Sequence, residues 1–288
     1  MAKCRHSWAI AVDPAAPFMA DHQPGGNPLL GTVGQLANLS GCGAKIAPGG
    51  HLTVIENVSI AAPFIITGTD PRTVDIEIAA NDHGSLQQWA LSSRSSQETV
   101  SHMHATAYYA ETWLSAPLIA PLTPLGSLSA HSVSDQQIYG CFFHGPSFRV
   151  VADAAFAGTA LHTTSVARLP TWSSDGLGAD CGARLIEFGL QSAGLYLLAT
   201  EGATLIPKRI GRIERFSGGD IGDGEVYNAQ SSAAAAGSGV DITISNSASQ
   251  LVVRITNYIC EPLPFAHDSA AASLLAAQLN ATKTKESL

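Results

Sequence analysis

Two segments far apart in the chain carry residue types that can move protons. The first, Asp21-His22-Gln23-Pro24-Gly25-Gly26-Asn27-Pro28-Leu29-Leu30-Gly31-Thr32-Val33, sets one histidine shortly before a glycine, ahead of an apolar run. Histidine is the side chain best suited to exchange a proton near neutral pH. Glycine lets a backbone approach a ligand closely, and a helix N-terminus offers unpaired N–H groups that can polarise a carbonyl. A base beside an electrophilic pocket is one meaning of this pattern, and a histidine in an ordinary loop is the other.

The second segment, Arg184 to Tyr196, is strongly apolar yet holds a carboxylate. Glu187 and Gln191 are four apart and share a face of any helix there. A solvent-facing Glu–Gln pair fits that spacing as well as a functional one does. Buried, the carboxyl keeps its proton to higher pH and can act as a general acid, with Gln191 orienting it. A His and a Glu held in different surroundings then divide the roles of base and acid. A third segment, Ile138 to Arg149, brings His144 next to Gly145-Pro146 among aromatics. It reads more simply as a turn or wall residue leading into a strand than as a catalyst.

These residues need elements to hold them. Helical periodicity predicts buried helices over Pro28 to Cys42 and Asp180 to Thr200, with Cys42 and Cys181 as small buried side chains. Alternation predicts strands over His51 to Ile60, Thr73 to Ala80, Ser85 to Leu91 and Val100 to Tyr109. Ser115 to Ser134, with Pro117, Pro121 and Pro124, reads as a linker. A second strand-rich block covers Ser147 to Ala167, Ala203 to Phe216, Val240 to Ser245 and Gln250 to Cys260. A short Ala/Leu helix spans Asp268 to Leu279, before a polar tail. One helix followed by antiparallel strands, twice over, predicts an α+β fold of two similar halves. The expected boundaries are residues 1–134 with the linker at their end, 135–265, and a tail over 266–288.

Composition narrows the function classes. The chain has 288 residues, 45% hydrophobic and 13% charged, with a net charge of −8, which suits a folded domain and argues against nucleic-acid binding. No apolar stretch reaches the ~18 residues of a membrane-span candidate. The start is broken by Asp13, Pro14 and Pro17, unlike a secretory leader, so a cytoplasmic location is expected. Five cysteines without CxxC spacing indicate neither a disulfide framework nor a zinc site, and no metal is expected.

The three segments, in this order, resemble the dehydratase domains of modular polyketide and polyunsaturated-fatty-acid synthases, over roughly Trp8 to Pro264. The first resembles the motif HxxxGxxxxP at His22 and Gly26, with Gly31 where that family has its final proline. Tyr139 with Phe143 to Phe148 is similar to the family's Tyr…Gly-Pro-x-Phe segment. Glu187-x-x-x-Gln191 stands where the family has Asp-x-x-x-Gln or Asp-x-x-x-His. The resemblance implies a double hotdog, two tandem folds each with a central helix wrapped by an antiparallel sheet. It implies a dehydratase that removes water from a 3-hydroxyacyl thioester on an acyl carrier protein, with no cofactor beyond the carrier's phosphopantetheine. His22, Glu187 and Gln191 would be catalytic, and Gly26, Gly31, Tyr139, His144, Gly145 and Pro146 would bind substrate. Backbone N–H groups near Gly26 and Gly31 would hold the thioester oxygen. Lys208, Arg209 and Arg212 are the candidates for carrier docking, and a homodimer is compatible. The same fold also serves acyl-thioester hydrolases, product-template cyclases and non-catalytic acyl-binding proteins.

Overall fold

The strands follow from alternating sequence, and their register puts the alternation to use. In the computed structural model, which describes residues 4–95, 98–117, 122, 132–170, 182–216, 224–235, 238–262 and 269–283, the first part of the chain forms seven strands. They are β1 (Cys4–Val12), β2 (Leu29–Leu30), β3 (His51–Ile60), β4 (Phe64–Ile65), β5 (Arg72–Ala80), β6 (Leu86–Arg94) and β7 (Thr99–Ala110). The second part forms β8 (Val133–Ser134), β9 (Val151–Ala157), β10 (Ala160–Ser165), β11 (Leu205–Arg215), β12 (Asn228–Ala233), β13 (Val240–Ser245) and β14 (Leu251–Pro262). Helices α1 (Pro17–Ala20), α2 (Thr32–Ile46), α3 (Asp135–Tyr139), α4 (Ala183–Glu201) and α5 (Ser269–Ala281) complete the described chain. Val74, Ile76 and Ile78 of β5 all point inward and are fully buried.

One twelve-stranded sheet runs in the order β1-β5-β6-β7-β3-β11-β14-β13-β12-β10-β9-β8. Reading outward from the β3/β11 pair, each half repeats one pattern. The strand after the long helix lies at the centre, the last three strands follow it, and outermost lie the sheet strands that precede the helix, β1 in the first half and β10, β9 and β8 in the second. The halves are therefore two hotdogs joined edge to edge, with β3 and β11 antiparallel at the seam. On the sheet at that seam, Arg212 bridges Glu56 of β3 at 2.7 Å and Glu214 at 3.2 Å.

Each long helix is buried on nearly all sides. Every residue of α2 from Val33 to Gly43 is buried, and α4 is buried from Leu185 through Ala193. A helix apolar all round belongs in a core, and its few polar side chains must then bond inward. Gln35 Nε2 donates to the Leu30 carbonyl at 3.0 Å and Asn38 Nδ2 to that of Gly34 at 2.9 Å. The two helices also touch each other, which brings the inner ends of both halves together.

Several elements differ from the sequence expectation. Helix α2 starts at Thr32 rather than Pro28, because Leu29–Leu30 pair with Phe64–Ile65 as a short ribbon. Gly31 is thus the residue preceding the first helical turn, and the helix-propensity cost of a glycine inside that turn does not arise. Val133–Ser134, assigned above to the linker, form the outermost strand of the sheet. Most of that linker, Asp180, Cys181 and the tail beyond residue 283 lie outside the described residues. Helix α5 packs on α4, with Asn280 Nδ2 donating to the Ala199 carbonyl at 2.8 Å, so this part of the expected tail belongs to the core. Cys42 is buried as expected. Among the described residues no helix is long and apolar enough to cross a membrane.

Candidate active site

His22 lies in the loop between α1 and β2, and the loop is closed by its own backbone. Leu29 N–H donates to the His22 carbonyl at 2.9 Å, and the His22 Nδ1 lies 2.8 Å from the Leu29 carbonyl. A carbonyl can only accept, so Nδ1 carries the proton and Nε2 is left with its lone pair. Burial pushes the His22 pKa down to about 4, against the raising effect of the Leu29 bond. The imidazole is therefore neutral at physiological pH, with a basic nitrogen free. Gly31 sets how close the ring can come to the start of α2, since a Cβ there would lie 2.9 Å from His22 Cε1 and 3.1 Å from Nε2.

The carboxylate comes from the other half. Glu187 sits in the first turns of α4 and is 7% exposed. Gln191, one turn on, donates from Nε2 to Glu187 Oε1 at 2.7 Å and to the Phe148 carbonyl at 2.7 Å. Gln191 is itself fixed by Tyr139, whose hydroxyl donates to Gln191 Oε1 at 2.8 Å and accepts the N–H groups of Val150 and Val151 at 2.8 Å each. Burial raises the Glu187 pKa to about 7, only partly offset by the Gln191 bond. Oε1 holds the donor from Gln191, so the proton of the neutral acid belongs on Oε2, which has no partner among the described residues.

His144 is more than a turn residue. Its Nε2 lies 3.6 Å from Glu187 Oε1, and its ring is 5.5 Å from that of His22, centre to centre. Burial first, then His22, pushes its pKa well below the ordinary value, so it too is neutral. Its Nδ1 is sealed from solvent without a partner. An orphaned lone pair costs less than an orphaned N–H, so the proton belongs on Nε2, facing Glu187. The contact with Glu187 left no mark in the sequence, because it joins a loop to a helix beyond it, although the resemblance placed His144 among the substrate-binding residues.

A cavity of about 290 Å³ opens between the halves. His22, Gly31 and Thr32 of the first half face it, as do His144, Glu187 and Gln191 of the second. Its walls are otherwise mainly apolar, from Ala61, Ala62 and Pro63 on one side to Phe142, Leu190 and the Leu205–Pro207 run on the other. Of the residues expected to bind substrate, Gly31 and His144 line the cavity. Tyr139, Gly145 and Pro146 stand behind that lining. Gly26 lies away from it, and its N–H is spent on the Gln23 carbonyl at 3.1 Å, so it cannot hold a thioester oxygen. The wall residues Phe142, Leu190 and Leu205 to Pro207 were missed, since apolar side chains on a strand or helix carry no local signature of a cavity. No cluster of side chains that could hold a metal occurs among the described residues. The expected docking cluster is largely neutralised: Lys208 pairs with Glu261 at 2.8 Å and Arg212 with two glutamates.

The sequence profile of the polyketide synthase dehydratase domain matches residues 2–94. No curated protein matches the chain. Among solved structures, the dehydratase domain from the CurF module of curacin polyketide synthase is 14% identical with a TM-score of 0.73, covering 90% of this chain and 93% of that one. A trans-AT polyketide synthase dehydratase domain from Brevibacillus brevis is 16% identical with a TM-score of 0.69, covering 89% and 94%. The CurK dehydratase, solved as a variant described as inactive with Asp changed to Asn, is 17% identical with a TM-score of 0.71, covering 90% and 94%. The sequence similarity to the polyketide synthase dehydratase domain thus covers residues 2–94, and by fold the chain as a whole is a double hotdog like those domains.

Proposed function

We propose that the protein removes water from a 3-hydroxyacyl thioester presented by an acyl carrier protein, leaving an enoyl thioester. One observation carries this reading: a neutral histidine with a free Nε2 and a carboxyl that holds its proton to about pH 7 face one cavity from opposite halves. His22 Nε2 takes the Cα proton, and the electron pair moves into the Cα–Cβ bond as the Cβ–O bond breaks. Glu187 gives its Oε2 proton to the departing hydroxyl, which leaves as water. Proton transfer by positioned groups supplies about 10²–10⁴-fold, so the developing oxyanion needs help as well. Thr32, the first residue of α2, lines the cavity, and the N–H groups of a helix's first turn have no partner within the helix, which fits that role. His144 holds the hydroxyl side of the substrate through Nε2–H, and Gln191 keeps Glu187 in place. The mainly apolar walls fit an acyl chain, and the reaction needs no cofactor beyond the carrier's arm. The inactive Asp-to-Asn variant of the CurK dehydratase fits a carboxyl proton donor.

The decisive experiment is mass spectrometry of a 3-hydroxyacyl carrier protein after incubation with the enzyme. Loss of one water with the thioester intact supports dehydration. Release of a free acid identifies a hydrolase, and tight binding without turnover identifies an acyl-binding protein.

A further inference from the structure

We infer that Asp21 is a positioning residue that ties the His22 loop to the segment carrying His144, and so fixes where His144 stands against Glu187. Asp21 does not face the cavity, yet it grips the other half of the molecule twice. Its carbonyl accepts the Gly145 N–H at 2.8 Å, and its Oδ2 accepts the Ser147 N–H at 2.8 Å. His22 and His144, the next residue on each strand, face each other as an isolated antiparallel bridge. The contact is tight, because a Cβ on Gly145 would lie 2.7 Å from Asp21 Cγ. Glycine is therefore required where Asp21 closes on the segment.

From there the restraint runs on to the acid. Phe148 N–H donates to the Gly145 carbonyl at 2.9 Å, and the Phe148 carbonyl accepts from Gln191, which holds Glu187. The carboxylate of one half thus sets the hydroxyl-binding face of the site in the other. A charged acceptor bonded to a backbone N–H is among the stronger hydrogen bonds.

The inference rests on the dehydratase reading, and the test separates the two. With a 3-hydroxyacyl carrier substrate, Asp21→Ala is expected to lower kcat about 10- to 100-fold, the cost of misplacing groups by about 1 Å, with KM within about threefold. Asp21→Asn keeps an oxygen that accepts from Ser147 and is expected to recover most of the loss. Nuclear magnetic resonance of the imidazoles gives a readout independent of turnover. The His144 signals shift in Asp21→Ala and return in Asp21→Asn, whereas those of His102, held by Ser93 and the Ala62 carbonyl, stay put. If Asp21→Ala does not fold, Gly145→Ala strains the same contact with the carboxylate intact and is expected to shift the same signals. Unmoved His144 signals in a folded variant, or a kcat equal to that of the unaltered enzyme, overturn the inference. A wild-type protein that forms no enoyl product defeats the dehydratase reading instead.

Discussion

The two halves share a strand pattern and a buried helix, but they hold their reactive groups in opposite ways. The first half keeps its histidine on a loop, its tautomer set by a backbone carbonyl. The second half keeps its carboxyl on the helix itself, held by a side chain one turn away. Burial acts on both and drives them apart: it takes the proton off the base and keeps it on the acid. Each half wraps a buried helix in a similar strand pattern, and the difference in where each carries its polar group makes one site from the two.

The sharpest way to break this comparison is to remove either group. His22→Ala and Glu187→Gln are each expected to lower dehydration by about 10²–10⁴-fold in the carrier mass assay, without unfolding the protein. Near-native turnover in either variant would overturn the division of roles. The same division predicts a bell-shaped pH dependence of kcat/KM. Activity rises as His22 loses its proton near pH 4 and falls as Glu187 loses its own near pH 7. The limbs are macroscopic values of the coupled site.

The halves should also oppose each other in stability. The folded state holds the Glu187 proton to about pH 7, against the ordinary 4.5, so its stabilising contribution is present at low pH and is lost as pH rises through about 7. Glu187→Gln removes that loss, so the variant should match the parent below about pH 4.5 and exceed it by about 3 kcal/mol above about pH 7. Thermal melts at the two pH values check this. His22 works the other way. Its folded pKa lies below the ordinary 6.5, so the parent gains stability as pH rises between about 4 and 6.5, and His22→Ala should flatten that rise.

A smaller loss tests the support behind the acid. Tyr139→Phe leaves the Val150 and Val151 N–H groups without their acceptor and should cost about 1–3 kcal/mol in chemical denaturation. The smallest effect is expected on the histidine side. Gly31→Ala places a Cβ 2.9 Å from His22 Cε1, so the ring must give by a few tenths of an ångström. A fall in kcat of about tenfold with an unchanged melting point is expected, since small misplacements of a base are costly.

Much of this arrangement was legible in the sequence, for reasons that can be named. Both buried helices showed as long apolar runs, and Val74, Ile76 and Ile78 showed the inward face of β5. His22, Glu187 and Gln191 stood out because polar groups beside apolar runs are rare. The strand at Cys4–Val12 was missed because its first four residues are all exposed and its alternation, over Trp8 to Val12, is short and set between small alanines. Asn228–Ala233 was missed because Ala and Ser have little strand preference. The residues alone placed His144 as a turn or wall and the resemblance placed it among the substrate-binding residues; its approach to Glu187 exists only through the tertiary fold. The expected roles of Gly26 and Gly31 parted for a local reason: one N–H closes a turn, and the other glycine makes room for a ring.

The seam between β3 and β11 has a consequence of its own. Strand β3 is flanked by β7 on one side and by β11 on the other. A first half made alone would present the Val54–Ser59 stretch as a free strand edge, a template for pairing with any other chain. Synthesis from the N-terminus exposes that edge until Leu205–Arg215 emerges from the ribosome. The protein is thus most prone to self-association while half made, and chaperones or rapid translation past residue 110 would protect it most.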